Sequence, residues 1–96
     1  MTDITMLTVA LRTIRSISDE HAERCSEVRR GPDWGTDRIR SFDRYAEGQL
    51  VDFGFSARYN FTAFFISFGG VRASSTSGIA GAMTNWIKAA ERRIGA

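Results

Sequence analysis

QLVDFGFSARYNFTAFFISF, residues 49–68, decides the fold, because it holds six of the seven phenylalanines of the chain. Val51, Phe53, Phe55 and Ala57 alternate with Asp52, Gly54, Ser56 and Arg58, the period of two of a strand with one buried face. Further on, Asn60, Thr62, Phe64, Ile66 and Phe68 alternate with Phe61, Ala63, Phe65 and Ser67, so the end of this stretch is apolar on nearly both sides. That is the pattern of a central strand. With a turn at residues 56–60, the stretch predicts an antiparallel hairpin of strands at about 49–57 and 60–68. A lone hairpin is marginal in water, so its aromatic face needs a cover.

An amphipathic helix at each end of the chain supplies one. Ile4, Leu7, Leu11, Ile14, Ser18, Ala22 and Cys25 recur at spacings of three and four, which predicts a helix over about residues 3–30. Asp3 or Thr2 can cap its start, the pairs Arg15 with Asp19 and Glu20 with Arg24 sit four apart on its outer face, and Gly31 and Pro32 stop it. Near the other end, Ile79, Met83, Trp86, Ile87, Ala90 and Ile94 form an apolar stripe over about residues 77–94, with Thr76 or Ser77 as N-cap and Gly95 as C-cap. Gly78, Ala80, Gly81 and Ala82 are small enough to bring this helix close to the sheet.

Between the first helix and the hairpin, residues 38–45 put Arg38, Arg40, Phe42, Arg44 and Ala46 on one side if extended, and they read as an edge strand whose arginines deter pairing with other chains. Gly48 then marks the turn into the hairpin. After Phe68, Gly69 and Gly70 form a second turn, and residues 71–74 can return as another edge strand. The expected fold is therefore α+β: a two-layer α-β-β-(β)-α arrangement, an antiparallel sheet with N-terminal and C-terminal helices, in one domain spanning residues 1–96. Its expected core is Leu7, Leu11, Ile14, Val51, Phe53, Phe55, Phe64, Ile66, Met83, Trp86, Ile87 and Ala90.

Composition bounds the function. The chain is 43% hydrophobic and 25% charged, unlike a disordered tail. It has neither an apolar run of membrane-spanning length nor a secretory leader pattern, so a cytoplasmic protein with no membrane partner is expected. The net charge is only +2, but twelve of the thirteen basic residues are Arg, whose planar fork of donors suits protein interfaces and phosphates alike. A GC-rich genome produces the same bias.

Chemistry-bearing motifs are sparse. Cys25, the single cysteine, cannot form an internal disulfide or a cysteine-rich metal site. His21, the single histidine, lies four residues before it, but a Cys–His dyad also needs an orienting group and an oxyanion site. Asp33 and Asp37 are explained by turn chemistry, and no phosphate loop, zinc-ligand set or dinucleotide fingerprint occurs. No catalytic residue, cofactor or metal is expected.

The loop GPDWGTD, residues 31–37, is shaped by Pro32 and Gly35 and centred on Trp34. Trp34 is either a lid on the core or an anchor presented to a partner. As an anchor it forms a partner-binding centre with Arg38, Arg40, Arg44 and Tyr45, suited to a protein or nucleoprotein complex with an acidic patch. The alternative is an RNA- or DNA-binding sheet face using Arg38, Arg40, Arg44, Arg58, Tyr59 and Arg72. A homodimer through the outer aromatic residues is also open.

The order helix, strands, helix is similar to the double-stranded RNA-binding domain. That family's last helix begins with lysines on phosphates, whereas the matching start here, Gly78-Ile79-Ala80-Gly81-Ala82, has no basic residue and implies no such grip on a duplex. As a small, motif-free α+β chain with a late helix SGIAGAMTNWIKAAERR, residues 77–93, it also resembles bacterial prophage and mobile-element accessory proteins, among them anti-CRISPR inhibitors. That resemblance implies a stoichiometric inhibitor that covers a surface of a host nucleoprotein machine and needs no catalytic group.

Overall fold

Two helices, three strands and a third helix follow one another along the chain. The computed structural model describes residues 4–30 and 36–95, with the side chains of Thr36 and Asp37 left aside. The elements are α1 (Ile4–Arg30), α2 (Thr36–Phe53), β1 (Ser56–Tyr59), β2 (Phe64–Phe68), β3 (Val71–Ser75) and α3 (Ile79–Ile94). The strands form one antiparallel sheet in the order β1-β2-β3, so β2 is central as its two-sided apolar pattern predicts. All three helices gather on one side of it. α3 packs on β2 and β3, α2 meets β1, and α1 lies against both α2 and α3. The 27-residue α1, about 40 Å long at 1.5 Å per residue, sets most of the 48 Å long axis.

The two-layer α+β architecture with a helix at either end holds, but the segment between α1 and the hairpin does not. Residues 38–45 are helical, not an edge strand, and residues 49–53 continue the same helix. Ile39, Phe42, Ala46, Leu50 and Phe53 are spaced 3, 4, 4 and 3 apart, a helical stripe that buries Ala46 and Leu50 and half-buries the rest. Gly48 lies inside α2, not in a turn. The helix ends at Gly54, whose φ of 124° lets Phe55 N–H donate to Leu50 O at 2.9 Å while Gly54 N–H reaches Val51 O at 3.0 Å. Val51, expected in the core, is 52% exposed as a result.

The hairpin therefore starts later than expected. Residues 56–59 are the strand itself, and the turn falls at residues 60–63. Asn60 explains why: its Oδ1 accepts from Thr62 N–H at 2.9 Å, Ala63 N–H at 2.9 Å and the Thr62 hydroxyl at 3.0 Å, while Asn60 N–H donates to Ala63 O at 3.0 Å. An Asx-type turn of this kind closes the loop from within.

The core joins α1, α2, α3 and the covered sheet face. Leu7, Ile14, Leu50, Ile66, Met83 and Trp86 are the largest fully buried side chains. The Phe55 ring meets the Trp86 indole edge-on at 5.0 Å and lies 5.0 Å from Phe68 and 5.6 Å from Phe53. Trp86 Nε1–H donates to Val71 O at 3.1 Å, so the indole fills the core and also satisfies its one polar atom. Phe53 and Ile87, expected in the core, pack against its edge.

At the start of α3 the small residues do what their size suggests. A Cβ on Gly81 would run into Oγ and Cβ of Ser75, so glycine is what admits this turn to the end of β3. The N-cap is Gly78 with no side-chain cap bond, rather than Thr76 or Ser77; Ser75 Oγ instead accepts from Ser77 N–H at 3.0 Å. Gly95 is the left-handed C-cap, its N–H directed to Arg92 O and Glu91 O. On the surface, Glu20 pairs with Arg24 at 2.5 Å as expected, but Arg15 crosses to Glu91 on α3 at 3.2 Å instead of pairing with Asp19.

Candidate binding face and a buried polar cluster

The sheet has one covered and one open face. Register puts Ala57, Phe64, Ile66, Phe68, Val71 and Ala73 beneath the helices and Ser56, Arg58, Phe65, Ser67, Arg72 and Ser74 on the other side. Arg58 stands directly opposite Phe65, and Arg72 directly opposite Ser67. These residues border a shallow depression of about 470 Å³. Phe65 keeps 40% of its surface exposed there. No carboxylate occurs anywhere from residue 53 to residue 90, and neither Arg58 nor Arg72 has an ion-pair partner among the described residues. That acid-free run was legible in the sequence and is the signal that would have marked this face.

At the tip of the hairpin, Phe61 is fully exposed, and Tyr59 beside it is 69% exposed. The Asn60 bonds fix the turn that carries Phe61, so the ring is presented on an ordered loop. The sequence offers such a presented ring at Trp34, as the alternative to a lid on the core. Trp34 lies outside the described residues.

The remaining expected site residues are divided. Because α2 is a helix, Arg38 and Tyr45, seven apart, fall on one side, while Arg40 and Arg44, four apart, fall on another. Tyr45 turns toward α1, where the Arg24 guanidinium stands 5.1 Å from its ring centre, so it is not part of an arginine-bearing sheet face. Arg40 and Arg44 instead line a groove of about 220 Å³ with Tyr59, Phe64 and the start of α3 at Gly78 and Ile79. Of the six residues expected to form a nucleic-acid-binding sheet face, only Arg58 and Arg72 share the open side. Tyr59 belongs to the covered side, at its rim, with its ring 6.5 Å from Phe64.

A second feature lies between α1 and α2. His21 is buried, and its Nε2 is 2.6 Å from Asp43 Oδ1; Cys25 Sγ is 3.7 Å from the same nitrogen and 4.0 Å from Nδ1. Asp43 thus supplies an orienting group that the His21 and Cys25 pair lacks in the sequence. The arrangement is still not a nucleophilic relay, because such a relay places thiol and carboxylate on opposite ring nitrogens. Burial, and after it the Asp43 carboxylate, pushes the Cys25 thiol above its ordinary pKa against the opposing pull of Arg29, which disfavours the thiolate.

No helix among the described residues is long and apolar enough to cross a membrane. Comparison of the chain with protein-family models, with curated proteins and with solved structures finds no match.

Proposed function

We propose that this chain is a non-catalytic, stoichiometric binding protein that engages an acidic surface of a protein or nucleoprotein complex through its β1–β2 hairpin and the open sheet face. The observation that carries the reading is Phe61, a fully exposed aromatic ring held on a turn ordered by Asn60. An exposed ring on a rigid support loses little conformational entropy on docking, and aromatic and Arg side chains supply most of the energy of protein interfaces. Arg58 and Arg72, without carboxylate partners among the described residues, complement an acidic patch on such a partner and steer its approach. The buried, proton-retaining Cys25 supports a role without covalent chemistry. This is the action of an inhibitor that covers a surface in the bacterial cytoplasm, as the resemblance to prophage accessory proteins, anti-CRISPR inhibitors included, implies.

Affinity capture from a bacterial lysate with and without nuclease identifies the partner, and Phe61→Ala then tests the site. A central anchor should lose at least about 2 kcal/mol of affinity, about thirtyfold in Kd, with melting unchanged. A folded Phe61→Ala protein that binds its partner normally rules out the hairpin tip as the contact centre.

A second reading rests on a separate observation, Phe65 facing Arg58 with Arg72 on the next strand of an acid-free face. An aromatic ring flanked by arginines is a stacking platform for single-stranded nucleic acid. Titration of a labelled single-stranded oligonucleotide at several salt concentrations tests it. Affinity should fall steeply with salt, and Arg58→Ala should flatten that slope; absence of binding at about 50 mM salt removes the reading.

A further inference from the structure

From the convergence of His21, Cys25 and Asp43 we infer a binding site for a zinc-class divalent transition-metal ion, placed between α1 and α2. The proposal stands apart from the hairpin surface and does not depend on it. His21 and Cys25, four apart on α1, present their donors to the same space, and Asp43 reaches it from α2. One donor atom from each residue lies within 4.8 Å of the other two. The geometry that excludes a nucleophilic relay is the one that a metal requires: thiol and carboxylate meet at a single ring nitrogen, Nε2.

One of the three donor spacings already matches a tetrahedral ion, and the short one can open to it. With metal–nitrogen, metal–oxygen and metal–sulfur bonds of about 2.0–2.3 Å, neighbouring donors in a tetrahedral site stand about 3.3–3.8 Å apart. Sγ to Nε2, at 3.7 Å, already has that spacing. Nε2 to Oδ1, at 2.6 Å, is a hydrogen bond, and exchange of its proton for an ion requires the carboxylate to withdraw by about 0.7 Å. Asp43 can do so because its side chain is 43% exposed, whereas His21 is held in the helix seam. The exposed side of Asp43 is where an ion would enter and a water would complete the four ligands. Binding releases the Cys25 thiol proton to solvent, and a neutral His21 ring binds the ion through Nε2 with its one N–H on Nδ1.

Position on the helix supports a role beyond packing. Leu7, Ala10, Leu11, Ile14 and Ile17 form the buried stripe of α1, which then continues through His21 and Cys25 to Val28. An apolar residue at 21 would fill that seam without importing a buried polar ring, and a His–Asp clasp alone would have no use for the thiol. A nitrogen, a sulfur and an oxygen donor at one point form a borderline-soft set suited to Zn²⁺ or Co²⁺ and poorly suited to Mg²⁺ or Ca²⁺.

The test is Co²⁺ titration of the untagged, full-length chain under reducing conditions, read by absorption and followed by Zn²⁺ competition. A 1:1 complex with visible bands of tetrahedral cobalt and a near-ultraviolet thiolate-to-cobalt band is expected, with Zn²⁺ abolishing both. Cys25→Ser should lose the thiolate band, and Asp43→Asn should bind at least about tenfold more weakly. Circular dichroism shows whether each variant is folded, and Asp43→Asn, at a half-exposed position, keeps the test valid if Cys25→Ser does not fold. An octahedral cobalt spectrum without the thiolate band, no saturable binding below millimolar Co²⁺, or equal affinity in folded Asp43→Asn would overturn the proposal.

Discussion

Replacing Trp86 with alanine tests the core most directly. The indole is wholly buried, meets Phe55 edge-on at 5.0 Å, and donates from Nε1 to Val71 O at 3.1 Å. Truncation removes all three contributions at once: about 3–5 kcal/mol is the usual loss for an aromatic-to-alanine change in a core. The edge-to-face pair accounts for about 0.5–1.5 kcal/mol of that and the hydrogen bond for about 1 kcal/mol. A domain of this size holds about 5–15 kcal/mol in total, and each kcal/mol moves its melting temperature by about 4–8 °C. Trp86→Ala should therefore melt at least about 12 °C lower, by circular dichroism, or be unfolded at the outset. Trp86→Phe keeps most of the filling but removes the donor to Val71 O, so it should fall between wild type and Trp86→Ala. Melting of Trp86→Ala within a few degrees of wild type would refute the assignment of Trp86 as the filler of a closed core, because an aromatic-sized cavity at a wholly buried position carries a cost of several kcal/mol.

Three further changes follow from backbone space and from titration. Gly81→Ala should destabilise the protein despite alanine's helix preference of about 1 kcal/mol, since the new Cβ meets Ser75; Gly48→Ala on α2, with nothing within 4 Å, should stabilise it by about 0.5–1 kcal/mol, and denaturant midpoints of the two compared with wild type check both signs. Cys25 holds its proton more firmly in the folded chain than in the unfolded one, so its contribution is complete below the unfolded thiol's pKa and is lost as pH rises through the folded one. Between neutral pH and about pH 10, wild type should thus lose stability by a component that Cys25→Ala lacks, as measured by denaturant midpoints at each pH.

Local pattern determined the parts of this protein whose periodicity has a single interpretation. The stripes Leu7, Leu11, Ile14 and Ile79, Met83, Trp86 repeat over enough turns to specify α1 and α3, and the two-sided apolar run at Phe64, Ile66 and Phe68 marks β2 as central. Residues 36–55 carried two patterns at once. Alternation of Arg38, Arg40 and Arg44, and of Val51, Phe53 and Phe55, fits a strand, while Ile39, Phe42, Ala46, Leu50 and Phe53 fit a helix; packing chose the helix because it buries Ala46 and Leu50 against the rest of the core. Gly54 then divides Phe53 from Phe55, yet both rings reach Phe68, so aromatic burial was right where the secondary structure was not. The candidate sites divide the same way. The arginines and the absence of carboxylates from 53 to 90 are facts of sequence, and so is the spacing of His21 and Cys25. Only strand register could place Arg58 opposite Phe65, and only the packing of α2 on α1 could bring Asp43, 22 residues away in the chain, to the His21 ring. Contacts between separate elements depend on tertiary packing, which a local period does not encode.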